Sequence, residues 1–505
     1  MQPLPGPDRP PARDVPPLAA RPLAAVLVAQ AVTLLSLAGR YGYHRDELYF
    51  LACGHHLAWG YPDQPPLTPL LALLADTVAP GSLVAFRVPA VLCALAVTGL
   101  SALIARDLGG GRFAQLLTAL ATGTGTFVLV SGHALFTSTP DLAVGVTLIW
   151  VVVRALRTGD RRLWLAAGAV LGLGLLNKQL PLLLAAGLVV GALLPPAARP
   201  ALRSPWLWAG AAVAALAWAP VLIWQARNGW PQLELARQIR AEYGAAGERV
   251  AFVGIQFGLF SAGAGYLWVT GLVHLWRGRS GAIFRVLAWA WLAVIALLMV
   301  TAGQVYYAGA LYPALIAAGA VALERWPRRT RRRWTAVGVV ASSALTLPAA
   351  LPVLPARTLD ASVWSGLGEQ QREMVGWPQL VDQVALAYRS VPQPQRATTV
   401  VFTANYGEAG AVDRFGPRRG LPPAFSGHNG FAAWGPPTAP ASAPVVVVWE
   451  GGVPDPAVFR GCGPGDPVRT GVHDEESSAA AVYLCSGGVT GGWPRVWPRL
   501  VHLSS

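Results

Sequence analysis

Eleven apolar runs, separated by short loops in which arginine collects, leave this chain one architecture: a bundle of helices crossing a bilayer. Lipid offers the backbone no hydrogen-bond partner, so a spanning segment must satisfy its own amides within a helix. The runs lie at Leu23–Ala38, Val88–Ala105, Phe113–Val130, Leu142–Val153, Leu163–Leu176, Leu180–Leu194, Trp206–Trp224, Val250–Leu275, Ile283–Val300, Ala308–Ala322 and Trp334–Leu354. Several are shorter than the roughly 20 residues a straight span needs, so each borrows flanking residues or is broken near a site. The composition agrees, with 54% hydrophobic and 13% charged residues over 505 positions and a mean hydropathy of +0.45. A net charge of +14 does not point to nucleic acid, because the arginines cluster between apolar runs instead of lining one face.

The stretch from Leu163 to Leu194 reads either as one long helix or as two meeting at Asn177-Lys178-Gln179, and loop charge decides between them. Two spans put Arg106 and Arg112, Arg154 to Arg162, Arg199 and Arg203, Arg277 and Arg279, and Arg325 to Arg333 all on one side, as the positive-inside rule requires. The expectation is therefore about eleven spans with Lys178 external. Residues 1–21, rich in proline and carrying Arg9, Arg13 and Arg21, read as a disordered cytoplasmic tail ahead of a retained signal anchor. Arginine has replaced lysine almost throughout, a bias expected of a GC-rich bacterial genome, and Lys178 is the only lysine. The location expected is the bacterial plasma membrane.

The same topology puts the Asp46 loop, the Ser131–Asp141 segment, the Gln225–Arg249 loop and Gly303–Tyr307 on the outer face. It also exports residues 355–505, where long apolar runs stop and an α/β domain is expected, with strands at Thr398–Thr403 and Val445–Glu450. Residues 22–354 form the membrane domain. Cys462 and Cys485 fall in a compartment that permits a disulfide, whereas Cys53 and Cys93 have no evident partner.

Chemistry is expected in the loop Tyr41-Gly42-Tyr43-His44-Arg45-Asp46-Glu47-Leu48-Tyr49, because ionisable groups at a bilayer boundary are expensive unless solvated or paired. On a helix, Asp46 and Glu47 diverge by about 100°, so one is the base and the other a support. A helix cap with a salt bridge is the structural alternative. The loop continues through His55 and His56, a weak metal signal without further ligand spacing, to Asp63 and Gln64 in a proline-rich turn, and then to a short interfacial helix from Leu67. Lys178 must snorkel to the headgroups or meet an anion, and phosphate is the anion most available there. Arg87 and the hydroxyls of Tyr306 and Tyr307 are candidates to join it. Asp141, after Ser138-Thr139-Pro140, either serves the site or caps a helix.

Taken together, His44-Arg45-Asp46-Glu47-Leu48, Tyr61-Pro62-Asp63-Gln64-Pro65-Pro66-Leu67 and Gly172-Leu173-Gly174-Leu175-Leu176-Asn177-Lys178 resemble the polyprenyl-phosphate-sugar-dependent membrane glycosyltransferases of the C fold type, in particular the protein mannosyltransferase-like family 39. Weaker echoes are Tyr306-Tyr307 and Leu311-Tyr312-Pro313. The resemblance implies transfer of a sugar, mannose first among candidates, from a lipid-phosphate donor to a glycan, lipid or protein acceptor at the outer face, with inversion at the anomeric carbon. It implies Asp46 as base, with Glu47 beside it. Lys178, with Arg45, Arg87 or Tyr306, would bind the donor phosphate, and His44, His55, His56, Asp63, Gln64 and Asp141 would support the site or contact the acceptor. No cofactor is certain, and a divalent metal is left open. Asn405-Tyr406-Gly407-Glu408-Ala409-Gly410 and Ser426-Gly427-His428-Asn429-Gly430 resemble loops on the exported domains of bacterial relatives. They suit either glycan contact or turns that cap an α/β domain. The rival readings are a flippase of lipid-linked intermediates, which would place polar residues along several spans, and a cell-envelope scaffold.

Overall fold

The computed structural model describes residues 15–242 and 246–503. α1 (Ala20–Leu37) opens the membrane domain, and α2 (Arg45–His55) and α3 (Leu67–Val78) are the two short helices of the first loop. α4 (Leu83–Phe86) runs into α5 (Val88–Asp107), and α6 (Arg112–Gly123) bends by 58° into α7 (Thr126–His133). α8 (Ser138–Thr158), α9 (Leu163–Leu175) and α10 (Leu180–Leu193) follow, and then the helices Pro205–Arg227, Pro231–Glu242, Ala246–Gly258, Ala262–Arg277, Arg285–Thr301, Tyr312–Glu324 and Arg329–Ala350.

Each of the expected apolar runs is helical, but not each is a full span. Among the described residues, six helices are long and apolar enough to cross alone, or eight if each of two bent pairs counts as one. α9 and α10, with 13 and 14 residues, fall short of the roughly 20 needed, and Arg329–Ala350 opens on a run of arginines. The break between α9 and α10 lies where charge placed it. The Asn177 and Lys178 amides both turn back to Gly174 O at 2.9 Å, and Pro181 sits in the first turn of α10, where a missing N–H costs nothing. Helices Ala262–Arg277 and Tyr312–Glu324 meet backbone to backbone at Gly271 and Gly319, where a Cβ would strike a carbonyl of the opposite helix.

Two expectations are corrected. Residues 16–21 of the expected tail are ordered: Pro16 O accepts from Arg106 Nε, Pro17 O from the Gln115 amide, and Ala19 N–H donates to Gln115 Oε1, which fixes this segment to α5 and α6. Residues 1–14, with Arg9 and Arg13, lie outside the described residues. The Gln225–Arg249 segment is not a loop but is largely helical, in Pro231–Glu242 and the start of Ala246–Gly258.

The C-terminal region is an α/β domain on a five-stranded sheet of β1 (Val400–Thr403), β2 (Ala424–Ser426), β3 (Val445–Glu450), β4 (Asp466–Pro467) and β5 (Ala480–Cys485), in the order β2-β1-β3-β5-β4. β1 pairs in parallel with β2 and β3, and β5 runs antiparallel to β3 and β4. Strand alternation gives the sheet two apolar faces. Val400, Phe402, Val445 and Val447 pack with Trp493 and Trp497 on one face. Val401, Val446 and Val448 pack with Trp377, Leu380 and Val384 on the other, in a core that continues into Leu48, Tyr49 and Phe50 of α2 and Ala72 and Ala75 of α3. The first membrane loop and the C-terminal domain thus share one hydrophobic core. Cys462 and Cys485 are joined by a disulfide, while Cys53 and Cys93 are free.

Candidate active site

α2 is started by His44, whose Nδ1 accepts the Asp46 N–H at 3.1 Å while its own N–H donates to Glu47 Oε2 at 2.9 Å. The helix turn then sends the two acids apart. Glu47 points into the protein, where it is fully buried and accepts from Arg87 Nε at 2.9 Å, Arg87 NH2 at 2.7 Å and Leu135 N at 2.9 Å. Arg87, also fully buried, gives its remaining donors to Ala38 O, Gly42 O and His133 Nε2. Every N–H of this guanidinium is used within the protein, so Arg87 has no donor left over for a phosphate, and the Glu47 carboxylate is closed off from solvent. Together they lock the first loop to α5 and to the turn after α7.

Asp46 faces the other way, with a side chain 30% exposed. Among the described residues its one hydrogen bond is from the Tyr406 hydroxyl of the C-terminal domain, 2.9 Å from Oδ1. Oδ2 lies 4.0 Å from His44 Nδ1. Arg45 belongs to this end of the site: its Nε is 3.6 Å from Glu373 Oε2 and its guanidinium sits 5.4 Å over the Tyr406 ring. His44 Nε2 is 3.0 Å from Glu373 Oε2. Burial would lower the His44 pKa, but the hydrogen bond to Glu373 and the charges of Asp46 and Glu373 raise it. The same hydrogen bond holds Glu373 low against its own burial.

Asp63, in the turn between α2 and α3, receives the Tyr49 hydroxyl at 2.7 Å. Burial pushes its carboxyl up to about 6, with Asp46 adding to the shift and Lys178 opposing it. Asp63 therefore lies within electrostatic reach of both Asp46 and Lys178. Gln64 is buried, with neither amide atom partnered among the described residues. The histidine pair separates: His55 is exposed, while His56 stacks on Trp434 with ring centres 4.1 Å apart. Among the described residues no three His, Cys, Asp or Glu side chains converge as a metal site needs, and His55 and His56 form no such pair.

Lys178 follows Asn177, which is pinned by Nδ2–H to Thr137 O at 2.7 Å and by the Thr68 hydroxyl at 2.5 Å. Its ammonium donates to the Tyr306 hydroxyl at 3.4 Å and to Thr137 Oγ1 at 3.5 Å, and lies 5.4 Å from the Tyr306 and Tyr307 ring centres. Asp141, in the first turn of α8, interacts with Lys178 electrostatically and leaves a buried Oδ1 without a partner among the described residues. It lines a cleft between helices with Tyr307, Leu184 and Val294. The structure thus assembles Asp46, Asp63, Lys178, Tyr306 and Asp141, and withdraws Glu47, Arg87, His55 and His56. Sequence reasoning passed over Tyr49, Tyr406 and Glu373. The first two stood inside motifs already singled out, whereas Glu373 carried no signal.

Residues 63–224 match the family described as dolichyl-phosphate-mannose-protein mannosyltransferase. The crystal structure of ArnT from Cupriavidus metallidurans bound to undecaprenyl phosphate superposes with a TM-score of 0.59 at 14% identity, covering 92% of this chain and 98% of that one. The membrane domain has the C-type glycosyltransferase fold. The apo form of the same ArnT agrees, at 0.59 and 15% over the same shares of the two chains. No curated protein matches by sequence. The C-type fold and the family match over 63–224 bear out the resemblance read from the loop motifs, and the matched segment contains Asp63, Arg87, Asp141 and Lys178.

Proposed function

We propose that the protein transfers a sugar from a polyprenyl-phosphate donor to an acceptor hydroxyl at the outer face of the plasma membrane, with Asp46 as general base. The observation that carries this reading is the division of charge in a C-type fold: a partly exposed carboxylate, Asp46, above the membrane domain, and a single lysine, Lys178, at a break between two apolar helices. Asp46 takes the proton of the acceptor hydroxyl as its oxygen attacks the anomeric carbon from the face opposite the phosphate. The bond from that carbon to the phosphate oxygen breaks, and its electron pair leaves with the lipid phosphate. Lys178, with the Tyr306 hydroxyl, neutralises the charge that grows on the leaving group. Attack opposite the leaving group inverts the anomeric centre. Asp63, poised near neutrality between the two, supports the site.

ArnT was crystallised with undecaprenyl phosphate, and the matching family is described by a dolichyl-phosphate-mannose donor, so a lipid-phosphate mannose is the first donor to try. The outward placement of the site rests on the arginine loops, which share one side only when α9 and α10 cross separately. The test supplies radiolabelled polyprenyl-phosphate sugars, mannose first, to detergent-purified protein with a membrane extract as acceptor, and compares wild type with Asp46→Asn. Transfer by wild type alone is expected. Equal transfer by both overturns the assignment of the base, and no transfer by folded wild type from any donor overturns the enzyme reading in favour of a carrier or scaffold.

A further inference from the structure

Two carboxylates of the site, Asp46 and Asp63, are linked by hydrogen bonds to the C-terminal domain, Asp46 directly and Asp63 through Tyr49. Tyr406 is the first residue of helix Tyr406–Phe415, which is fixed by a capping box: Asn405 Oδ1 accepts the Glu408 N–H at 2.9 Å, and the Asn405 N–H donates to Glu408 Oε2. This helix lies directly on α2. A Cβ at Gly407 would come within 2.8 Å of Arg45 Cβ, and one at Gly410 within 2.9 Å of the Leu48 backbone, so only glycine permits the approach. The Tyr406 ring is clamped between Tyr49, 4.7 Å away, and His428, 4.8 Å away. Its hydroxyl donates to Asp46 Oδ1 and leaves Oδ2 without a hydrogen bond among the described residues. A second link runs in parallel: the Gly430 N–H donates to the Tyr49 oxygen at 3.0 Å, and the Tyr49 hydroxyl donates to Asp63.

We propose that the C-terminal domain is a working part of the active site, with Tyr406 a positioning residue that fixes Asp46 so that its free oxygen meets the acceptor hydroxyl, and with Gly430 fixing Asp63 through Tyr49. The proposal rests on the reading of Asp46 as base. An aspartate in the first turn of a helix turns about two side-chain bonds, and a bond to one oxygen selects the rotamer while leaving the other oxygen to take the proton. Burial and the Asp46 charge hold the Tyr406 hydroxyl well above its usual range, so it remains a donor at working pH.

The test is Tyr406→Phe in the full-length protein, with Tyr388→Phe as control. Tyr388 sits in the same domain and donates to Arg396 O, away from the site. Loss of one hydrogen bond to a charged group lowers kcat about ten- to a hundredfold. The donor KM stays within about twofold, because a positioning group acts on the transition state rather than on donor binding. His44, Asp63 and, through the Tyr406 ring, Arg45 also face Asp46, and all remain in the variant. Tyr388→Phe keeps the wild-type kcat. A Tyr406→Phe enzyme with the kcat of wild type overturns the proposal. If that variant melts below the control, Tyr49→Phe, which removes the other hydroxyl, is read by the same criteria. An inactive wild type would instead overturn the enzyme reading, and an active Asp46→Asn the choice of base. Only an active wild type, a silent Asp46→Asn and an unaffected Tyr406→Phe strike this inference alone.

Discussion

Replacing Arg87 with methionine tests whether the second basic residue near the first loop is structural or binds phosphate. In wild type the fully buried Glu47 carboxylate accepts four N–H groups, two of them from Arg87, the others from Leu135 and His44. The substitution leaves that charge in the interior with two backbone amides and no counter-charge. Removing one partner of a buried ion pair costs about 3–5 kcal/mol, more than the roughly 1–3 kcal/mol of a single lost bond, because the remaining ion is still desolvated. The carbonyls of Ala38 and Gly42 lose their donor as well. Arg87→Met should therefore lower the melting temperature in detergent by several degrees and shorten the half-life at fixed temperature, which is the safer readout where unfolding is irreversible. Glu47→Gln should do likewise, and Glu47→Gln with Arg87→Met should recover most of the loss, as a double-mutant cycle reveals for a paired interaction. Donor affinity of the surviving folded fraction should be unchanged. Normal melting of Arg87→Met with weakened donor binding would refute the argument and return Arg87 to the phosphate site.

Three further outcomes are expected. Lys178→Gln should lower kcat/KM about ten- to a thousandfold by removing the cation that meets the developing phosphate charge, while the melting curve moves little; wild-type kinetics would rule out that role. Gly410→Val should undock helix Tyr406–Phe415 from α2, because the new Cβ meets the Leu48 backbone rather than a side chain that can turn away, and limited proteolysis should cut the C-terminal domain faster than in wild type. For the His44–Glu373 pair, the raised His44 pKa means that its contribution is complete below about pH 6.5 and is lost as pH rises through the raised value. The depressed Glu373 pKa means that its contribution is lost as pH falls below about 4.5. The melting difference between wild type and Glu373→Gln should thus be largest near pH 6 and shrink as pH rises through the raised His44 value, and a difference that never shrinks would show that the pair is not ionic.

The helical bundle was legible because hydropathy reports burial in lipid directly, and the position of Lys178 because loop charge distinguishes one span from two. Residue roles near Asp46 were legible only in part. That Asp46 and Glu47 diverge follows from helix geometry. That Glu47 finds Arg87, 40 residues on, and that Asp46 finds Tyr406, 360 residues on, follows from tertiary packing that no local pattern encodes. The Asn405–Gly410 motif reads as glycan contact or as capping turns, and nothing local in it names α2 as the element its two glycines approach. Length and composition alone mark six to eight spans among the described residues against eleven apolar runs, because pieces such as α9 and α10 are shortened by the break around Asn177 and Lys178.

Adjacent acids with opposite fates show why α2 stands at the centre of this protein. The proposed base needs access to substrate and one free lone pair, whereas a helix packed between the membrane domain and the C-terminal domain needs an anchor that no solvent can compete for. One residue cannot meet both demands. The rotation of about 100° between neighbours on a helix lets Glu47 supply the anchor to α5 through Arg87 while Asp46 stays partly exposed against Tyr406. Displacement of α2 relative to the C-terminal domain would therefore misplace Asp46 and Asp63 together, since both are held through hydroxyls that the domain positions, yet leave Lys178 on its own bonds to Tyr306 and Thr137. Loosening the domain should then impair proton removal before it impairs donor binding.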